Sequence, residues 1–475
     1  MLSFAEYRKL DALSLCELVK TKQVTPEELL NTALARAAQV NPKINAIVLD
    51  HENVARNQLK DGLPQGPLTG VPYLLKDLGA QLKGTVTTGS LSLYREAVAQ
   101  ADTTFVERCK KAGLVIFGKT HSPELGLSPS SESRMFGATR NPWNLEHIAG
   151  GSSGGAAAAV AAGIIPTAHA TDGGGSIRIP AACCGLFGLK PTRARTPIGP
   201  KRGEGWGGAS IAHVVSRSVR DSAAFLDATA GAAPGDPYAA PHQARPFLDE
   251  VKAAPGRLRI AVSTTPPIPA AVHPDAIAAV KDAAKLCESL GHIIEEATPA
   301  INGMEIMAAQ GVVISANVAF TVDEAAEALG RKARPEDMER ATWFRVENAR
   351  KTDSSAYARA MNTLHYLGRT VAAFMEDHDI ILQPTAAQPP LKLGILNMER
   401  TDLGEMFREM ISFIPYTGIY NLTGQPSANI PLHWNAAGLP IGTMFTARFG
   451  DEATLFRLAA QLEQARPWKD RYAPL

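Results

Sequence analysis

Gly150-Gly151-Ser152-Ser153-Gly154-Gly155, then Ala156-Ala157-Ala158-Ala159-Val160-Ala161-Ala162-Gly163, then Thr171-Asp172-Gly173-Gly174-Gly175-Ser176-Ile177-Arg178, is the stretch on which the reading of this chain turns. Two glycine-rich turns each present a serine, and the segment between them is almost pure small-residue helix. Alanine has the best helix propensity, and a methyl side chain lets a helix lie close against its neighbours. A buried helix is therefore predicted, its amino end just after Ser152 and Ser153. Free backbone N–H groups would gather beside those hydroxyls and favour negative charge there. The second turn has three consecutive glycines before Ser176. Backbone without Cβ atoms can curl until successive N–H groups converge on one point, which suits an oxyanion.

From Gly150 to Gly188-Leu189-Lys190-Pro191-Thr192 the run resembles, without a gap, the defining motif of the amidase signature family of serine hydrolases. The resemblance implies that Ser152 bridges a lysine to a nucleophile at Ser176, 24 residues further on, which is the family spacing. It also implies a lysine upstream at the end of an apolar strand, and Gly70-Val71-Pro72-Tyr73-Leu74-Leu75-Lys76-Asp77 supplies Lys76. Gly173, Gly174 and Gly175 would contact the oxyanion and substrate, while Asp172 and Arg178 would hold the nucleophile's turn. The implied fold is α/β: a single large domain over 1–475, with a mixed β-sheet core covered by helices on both faces. Within it, 1–65 are N-terminal packing helices and 66–200 carry the catalytic motifs.

Composition agrees with a small-molecule enzyme. Of 475 residues, 45% are hydrophobic and 20% charged, which is ordinary globular material with ample apolar side chains for a core. A formal charge of +1 gives no electrostatic reason to expect nucleic acid or an anionic membrane as partner. The expected partner is a small-molecule amide, with a homodimer as the alternative to a monomer. Five cysteines, an odd number without framework spacing, read as buried thiols of a cytoplasmic protein. Neither the mixed charges of Met1 to Lys9 nor the short apolar run from Ala156 to Ala168 suggests a signal peptide or a membrane span. Eleven histidines show no ligand spacing, so no metal and no cofactor is expected.

Along the chain, Leu10 to Val40 carries helical periodicity, and Thr25-Pro26-Glu27-Glu28 is a strong helix start. Strands are predicted at Ile44 to Leu49, Leu68 to Lys76, Leu114 to Phe117, Leu258 to Val262, Ile293 to Glu296 and from Ile380. Helices are predicted near Thr103 to Ala112, Ser218 to Ala230 and His273 to Leu290, with a mostly helical region from Pro299 to Arg369. Gly113 to Thr120 satisfies the phosphate-loop pattern, but its variable positions form an apolar strand, whereas a phosphate loop follows its strand. Gly203-Glu204-Gly205-Trp206-Gly207-Gly208 mimics a dinucleotide motif without a preceding strand and reads as a glycine loop near the substrate.

Amide hydrolysis needs a nucleophile, a base that takes its proton and returns it to the leaving nitrogen, and donors for the tetrahedral oxyanion. Lys76 can be that base only when neutral. Its pKa must then fall from about 10.4 to near neutrality, at a cost of roughly 4 kcal/mol that burial among Val71, Tyr73, Leu74 and Leu75 would impose. Asp77, the next residue along, should face away. Ser153 is central in a G-x-S-x-G pattern, but it follows no buried strand and reads as structural. His169 reads as a buried structural histidine.

Ile179 stands where the family's tRNA-linked amidotransferase subunits have glutamine. The run Pro180 to Gly188 looks most like the bacterial subgroup that includes cyclic oligoamide hydrolases. The expected activity is hydrolysis of neutral apolar or aryl amides. The alternatives are a carbamate or a cyclic or linear oligoamide hydrolase and, further off, an amidotransferase subunit or a non-catalytic binding protein. Trp206, Phe413, Tyr416 and Tyr420 are expected to offer aromatic surface near the site.

Overall fold

The computed structural model describes residues 2–475. Met1, the first residue of the N-terminal segment considered above, lies outside them. An eight-stranded sheet runs in the order Ile293–Glu296, Arg259–Val262, Ile380–Pro384, Pro440–Ala447, Ser427–Trp434, Phe187–Lys190, Ile211–Ser216, Thr167–Asp172. Arg259–Val262 pairs in parallel with both neighbours and every other pairing is antiparallel, so the sheet is mixed. A second sheet of three strands places Val115–Thr120 between Ile47–Asp50 and Pro72–Lys76.

Side chains alternate across a strand, so a central strand feeds two cores. Ile380 and Leu382 pack with Val280 of the helix Pro274–Ser289, Leu226 of Val219–Thr229 and Phe456 of Glu452–Ala465. Ile381, between them, packs with Val313 of Gly303–Ala328 and Leu364 of Ser354–Phe374. Helices thus cover both faces in a single α/β domain. Each such fully buried aliphatic side chain contributes roughly 1.5–3 kcal/mol.

The start at Thr25 forms as its chemistry dictates. Thr25 Oγ1 accepts from the Glu28 amide at 3.2 Å, and the Glu28 carboxylate accepts from the Thr25 amide at 2.9 Å. The helix Pro26–Ile44 outruns its periodic pattern and is closed by Asn45 at φ +48°, which delays the first strand to Ile47. Val115–Thr120 covers the last six residues of the phosphate-loop look-alike and is buried throughout. Lys119 Nζ there donates to the Val86 carbonyl at 2.6 Å and contacts the Thr87 hydroxyl. The segment is strand, without a cradle for phosphate.

The alanine-rich segment is the helix Gly154–Ala161, buried at all eight positions. Its approach is so close that a Cβ on Gly155 would lie 2.4 Å from the His121 nitrogen. Gly303–Ala328, by contrast, is long and apolar enough to cross a membrane by length and composition. No unbroken apolar run marks it in the sequence, because small and polar residues are scattered along it. Here it packs against the helices Arg340–Arg350 and Ser354–Phe374.

Candidate active site

Three chain segments meet at the head of the buried helix. Lys76 ends the fully buried strand Pro72–Lys76, Ser152 lies in the turn before Gly154–Ala161, and Ser176 lies between the strand Thr167–Asp172 and the helix Arg178–Cys184. Lys76 Nζ donates to Ser152 Oγ at 2.6 Å and to Thr171 Oγ1 at 2.9 Å. Both Lys76 and Ser152 are buried. Burial pushes the Lys76 ammonium down to about 7, with Asp172 pulling weakly the other way. Asp77 faces elsewhere, accepting from the Thr88 amide at 2.8 Å and from the Thr88 hydroxyl.

The Lys76 amide donates to His169 Nδ1 at 3.1 Å, which fixes the histidine as an acceptor on that nitrogen. Burial first, and then Lys76, push its pKa down to about 3, so it is neutral and positions the lysine strand. Ser153 Oγ donates to the Thr171 carbonyl and accepts from the Thr171 amide, each at 3.3 Å. It ties the helix head to the neighbouring strand, as a structural serine should.

Asp172 and Arg178 build the turn that carries Ser176. Arg178 Nε and Nη2 donate to the two carboxylate oxygens at 3.0 and 3.1 Å, and both side chains are fully buried. The carboxylate also accepts from the Gly175 amide at 2.6 Å, the Ile177 amide at 3.1 Å and Asn421 Nδ2 at 2.8 Å. Burial alone would raise the Asp172 pKa. The Arg178 charge and hydrogen bonds, Lys190 and Asn421 outweigh it and hold the carboxyl well below the usual carboxylate range. Arg178 Nη2 donates to Asn421 Oδ1 at 2.5 Å, so Asn421 closes the network.

One expectation is corrected. The Gly175 amide is committed to Asp172, so among the three glycines it is not free to meet an oxyanion. The Gly174 and Ser176 amides take no partner among the described residues. Gly175 is needed for its backbone, at φ +129°, where a Cβ would stand 2.4 Å from Thr417 Oγ1. Thr417 in turn donates to the Gly174 carbonyl at 2.7 Å. Gly173 must be bare because Trp206 lies over it, leaving a Cβ only 2.8 Å from the indole.

Ser176 is half-buried and opens on a cavity of about 500 Å³. Gly126 to Pro129, Trp206, Gln310, Arg345, Phe407 and Met410 are among its walls. Trp206 is where the glycine loop suggested, but Phe413, Tyr416 and Tyr420 are not lining residues. All three are core: the Tyr416 hydroxyl donates to the Thr264 carbonyl and the Tyr420 hydroxyl to Gln383 Oε1, each at 2.6 Å. Cavity aromatics come instead from Trp206, Phe344 and Phe407.

A serine hydroxyl bonded to a buried lysine, and a second, half-buried serine on a braced glycine turn that opens on a cavity, are the equipment of a serine hydrolase on an α/β scaffold. The chain belongs to the amidase signature family. The family model for Amidase matches residues 28–456. The chain is 37% identical to the 6-aminohexanoate-cyclic-dimer hydrolase of Paenarthrobacter ureafaciens, over 97% of this chain and 96% of that protein. A solved structure of 6-aminohexanoate cyclic dimer hydrolase superposes with a TM-score of 0.94 at 36% identity, covering 98% of this chain and 99% of that one. A bacterial aryl acylamidase of the amidase signature family superposes at 0.87 with 27% identity, covering 97% of this chain and 96% of that one. The protein is accordingly an amidohydrolase acting on C–N bonds.

Proposed function

We propose that the enzyme cleaves its amide through an acyl-enzyme on Ser176, with Ser152 and neutral Lys76 as the proton relay. Ser176 Oγ attacks the carbonyl carbon while its proton passes to Ser152 and that of Ser152 to Lys76 Nζ. The oxyanion forms against the Gly174 and Ser176 amides. Protons return along the same path to the leaving nitrogen, the C–N bond breaks, and water then releases the acid by the same steps. The observation that carries this reading is the 2.6 Å bond from a fully buried Lys76 to Ser152, at a lysine whose pKa burial has brought to about 7.

The pH dependence tests it. Lys76 accepts a proton only when unprotonated, so kcat/KM should be flat above about pH 7 and fall about tenfold per pH unit below it. The apparent pKa belongs to the coupled site. A profile from about pH 5 to 9 that stayed level on the acid side would contradict the relay.

We infer further that the substrate is an apolar or aryl amide, supported by a cavity whose walls are mostly aliphatic and aromatic. An oligoamide is the second reading, favoured by the likeness to 6-aminohexanoate-cyclic-dimer hydrolase, and carbamates of similar shape are a third. Ile179 on the cavity wall, in place of an amide side chain, speaks against glutamine. Comparing kcat/KM for a 4-nitroanilide, an aryl carbamate, a 6-aminohexanoate oligoamide and glutamine decides among them. Glutamine should be the poorest, and glutamine as the best substrate would overturn the apolar reading. A cytoplasmic setting is supported by five buried cysteines, none of them bridged.

A further inference from the structure

Among the described residues the cavity over Ser176 is lined by one ionisable side chain, Arg345, carried on the helix Arg340–Arg350. Sequestered arginines elsewhere in this protein are satisfied, Arg178 by Asp172 and Arg195 by Glu452, while Arg36, Arg193 and Arg217 donate to backbone carbonyls. Arg345 is different. Among the described residues no carboxylate lies within ion-pairing distance of it, and its guanidinium donates no hydrogen bond to the protein. Burial pushes its pKa down to about 10, with no acidic neighbour pulling the other way. Its fixed contact is with a ring, the guanidinium carbon standing 5.3 Å from the centre of Phe407, itself a cavity residue. None of its nitrogens is sealed off from solvent, so the donors remain open.

An unpaired cation on the wall of an apolar cavity constrains what can fill it. A ligand of hydrocarbon alone would strip water from the guanidinium and give nothing back, and desolvating an unpaired charge is costly. A guanidinium presents a flat fork of N–H donors that matches the two oxygens of one carboxylate. No second cation lines the cavity to balance a dianion such as a phosphate ester. Asn348, three residues along the same helix and also on the cavity wall, supplies a neutral donor on that face.

We propose that Arg345 is a specificity-determining residue and that the preferred substrate is an apolar amide whose acyl group ends in a carboxylate remote from the scissile bond, an ω-amido acid such as the mono-amide of an α,ω-diacid. This rests on the reading of the Ser176 cavity as the amide-binding site.

The test compares adipic acid mono-4-nitroanilide with its isostere in which the free carboxylate is a primary amide, reading nitroaniline release. The wild-type enzyme should prefer the acid by ~10-fold or more in kcat/KM, chiefly through KM, as a charge-assisted contact requires. In Arg345→Gln that ratio should collapse to below about threefold, and Arg345→Lys should restore part of it. A wild-type ratio near one, or a ratio that survives in Arg345→Gln, would overturn the proposal. Calorimetric binding of the same pair to Ser176→Ala separates this outcome from the chemistry. The acid should bind at least ~10-fold more tightly than the amide, and adding Arg345→Gln should make the two equal. Equal binding in Ser176→Ala alone refutes the Arg345 contact whether or not Ser176 is the nucleophile, and thermal melts show that each variant is folded.

Discussion

Ser176→Ala is expected to lower kcat by a factor on the order of 10⁴–10⁶ while leaving the fold intact. The side chain is half-buried and makes no hydrogen bond among the described residues, so losing its oxygen removes the attacking atom and little else. Organophosphorus labelling should map to Ser176 and disappear in the variant, and full activity in Ser176→Ala would sink the acyl-enzyme. Lys76 and Ser152 act as one unit at 2.6 Å, so the double variant Lys76→Ala/Ser152→Ala should be little worse than the more damaging single change. Lys76→Met should be inactive yet melt higher by roughly 2 °C or more. Holding a lysine at a pKa of about 7 against an ordinary 10.5 costs on the order of 5 kcal/mol, and a methionine in the same apolar pocket is spared that cost.

Arg178→Met is expected to destabilise the protein by about 3–5 kcal/mol, read as a lowered denaturant midpoint, and to abolish activity with it. Removing the guanidinium leaves the fully buried Asp172 carboxylate without its cation, and the carboxylate is what orders the Gly175 and Ile177 amides around Ser176. Asp172→Asn should cost a similar amount, because it strands the arginine instead. The double variant Asp172→Asn/Arg178→Met should fall well short of the sum of the two, since no unpaired charge is then left buried. A loss below about 1 kcal/mol in either single variant would show that the pair does not brace the turn.

Short-range chemistry accounts for the parts of this protein that were legible in advance. Turn glycines, a capping threonine before proline, an alanine run and an apolar strand ending in lysine act through neighbours a few residues away, so Ser152, Ser176 and Lys76 could be placed on their elements before any contact was known. Their spacing then selected the family, and with it the mixed sheet covered on both faces. Other features depend on which faces of distant segments meet, and no local period encodes that. The Gly175 amide turned to the Asp172 carboxylate three residues back, which Asn421, 249 residues away in sequence, helps to hold in place. Phe413, Tyr416 and Tyr420 went to the core because each packs or bonds against segments far from it in sequence, at Thr264 and Gln383 for the tyrosines. Asn421 reached Arg178 across 243 residues. Arg345 lay in a stretch whose helical periodicity said nothing of function. It became conspicuous only when packing left its helix on the cavity wall with no carboxylate opposite, because whether a charge is paired is decided by neighbours in space.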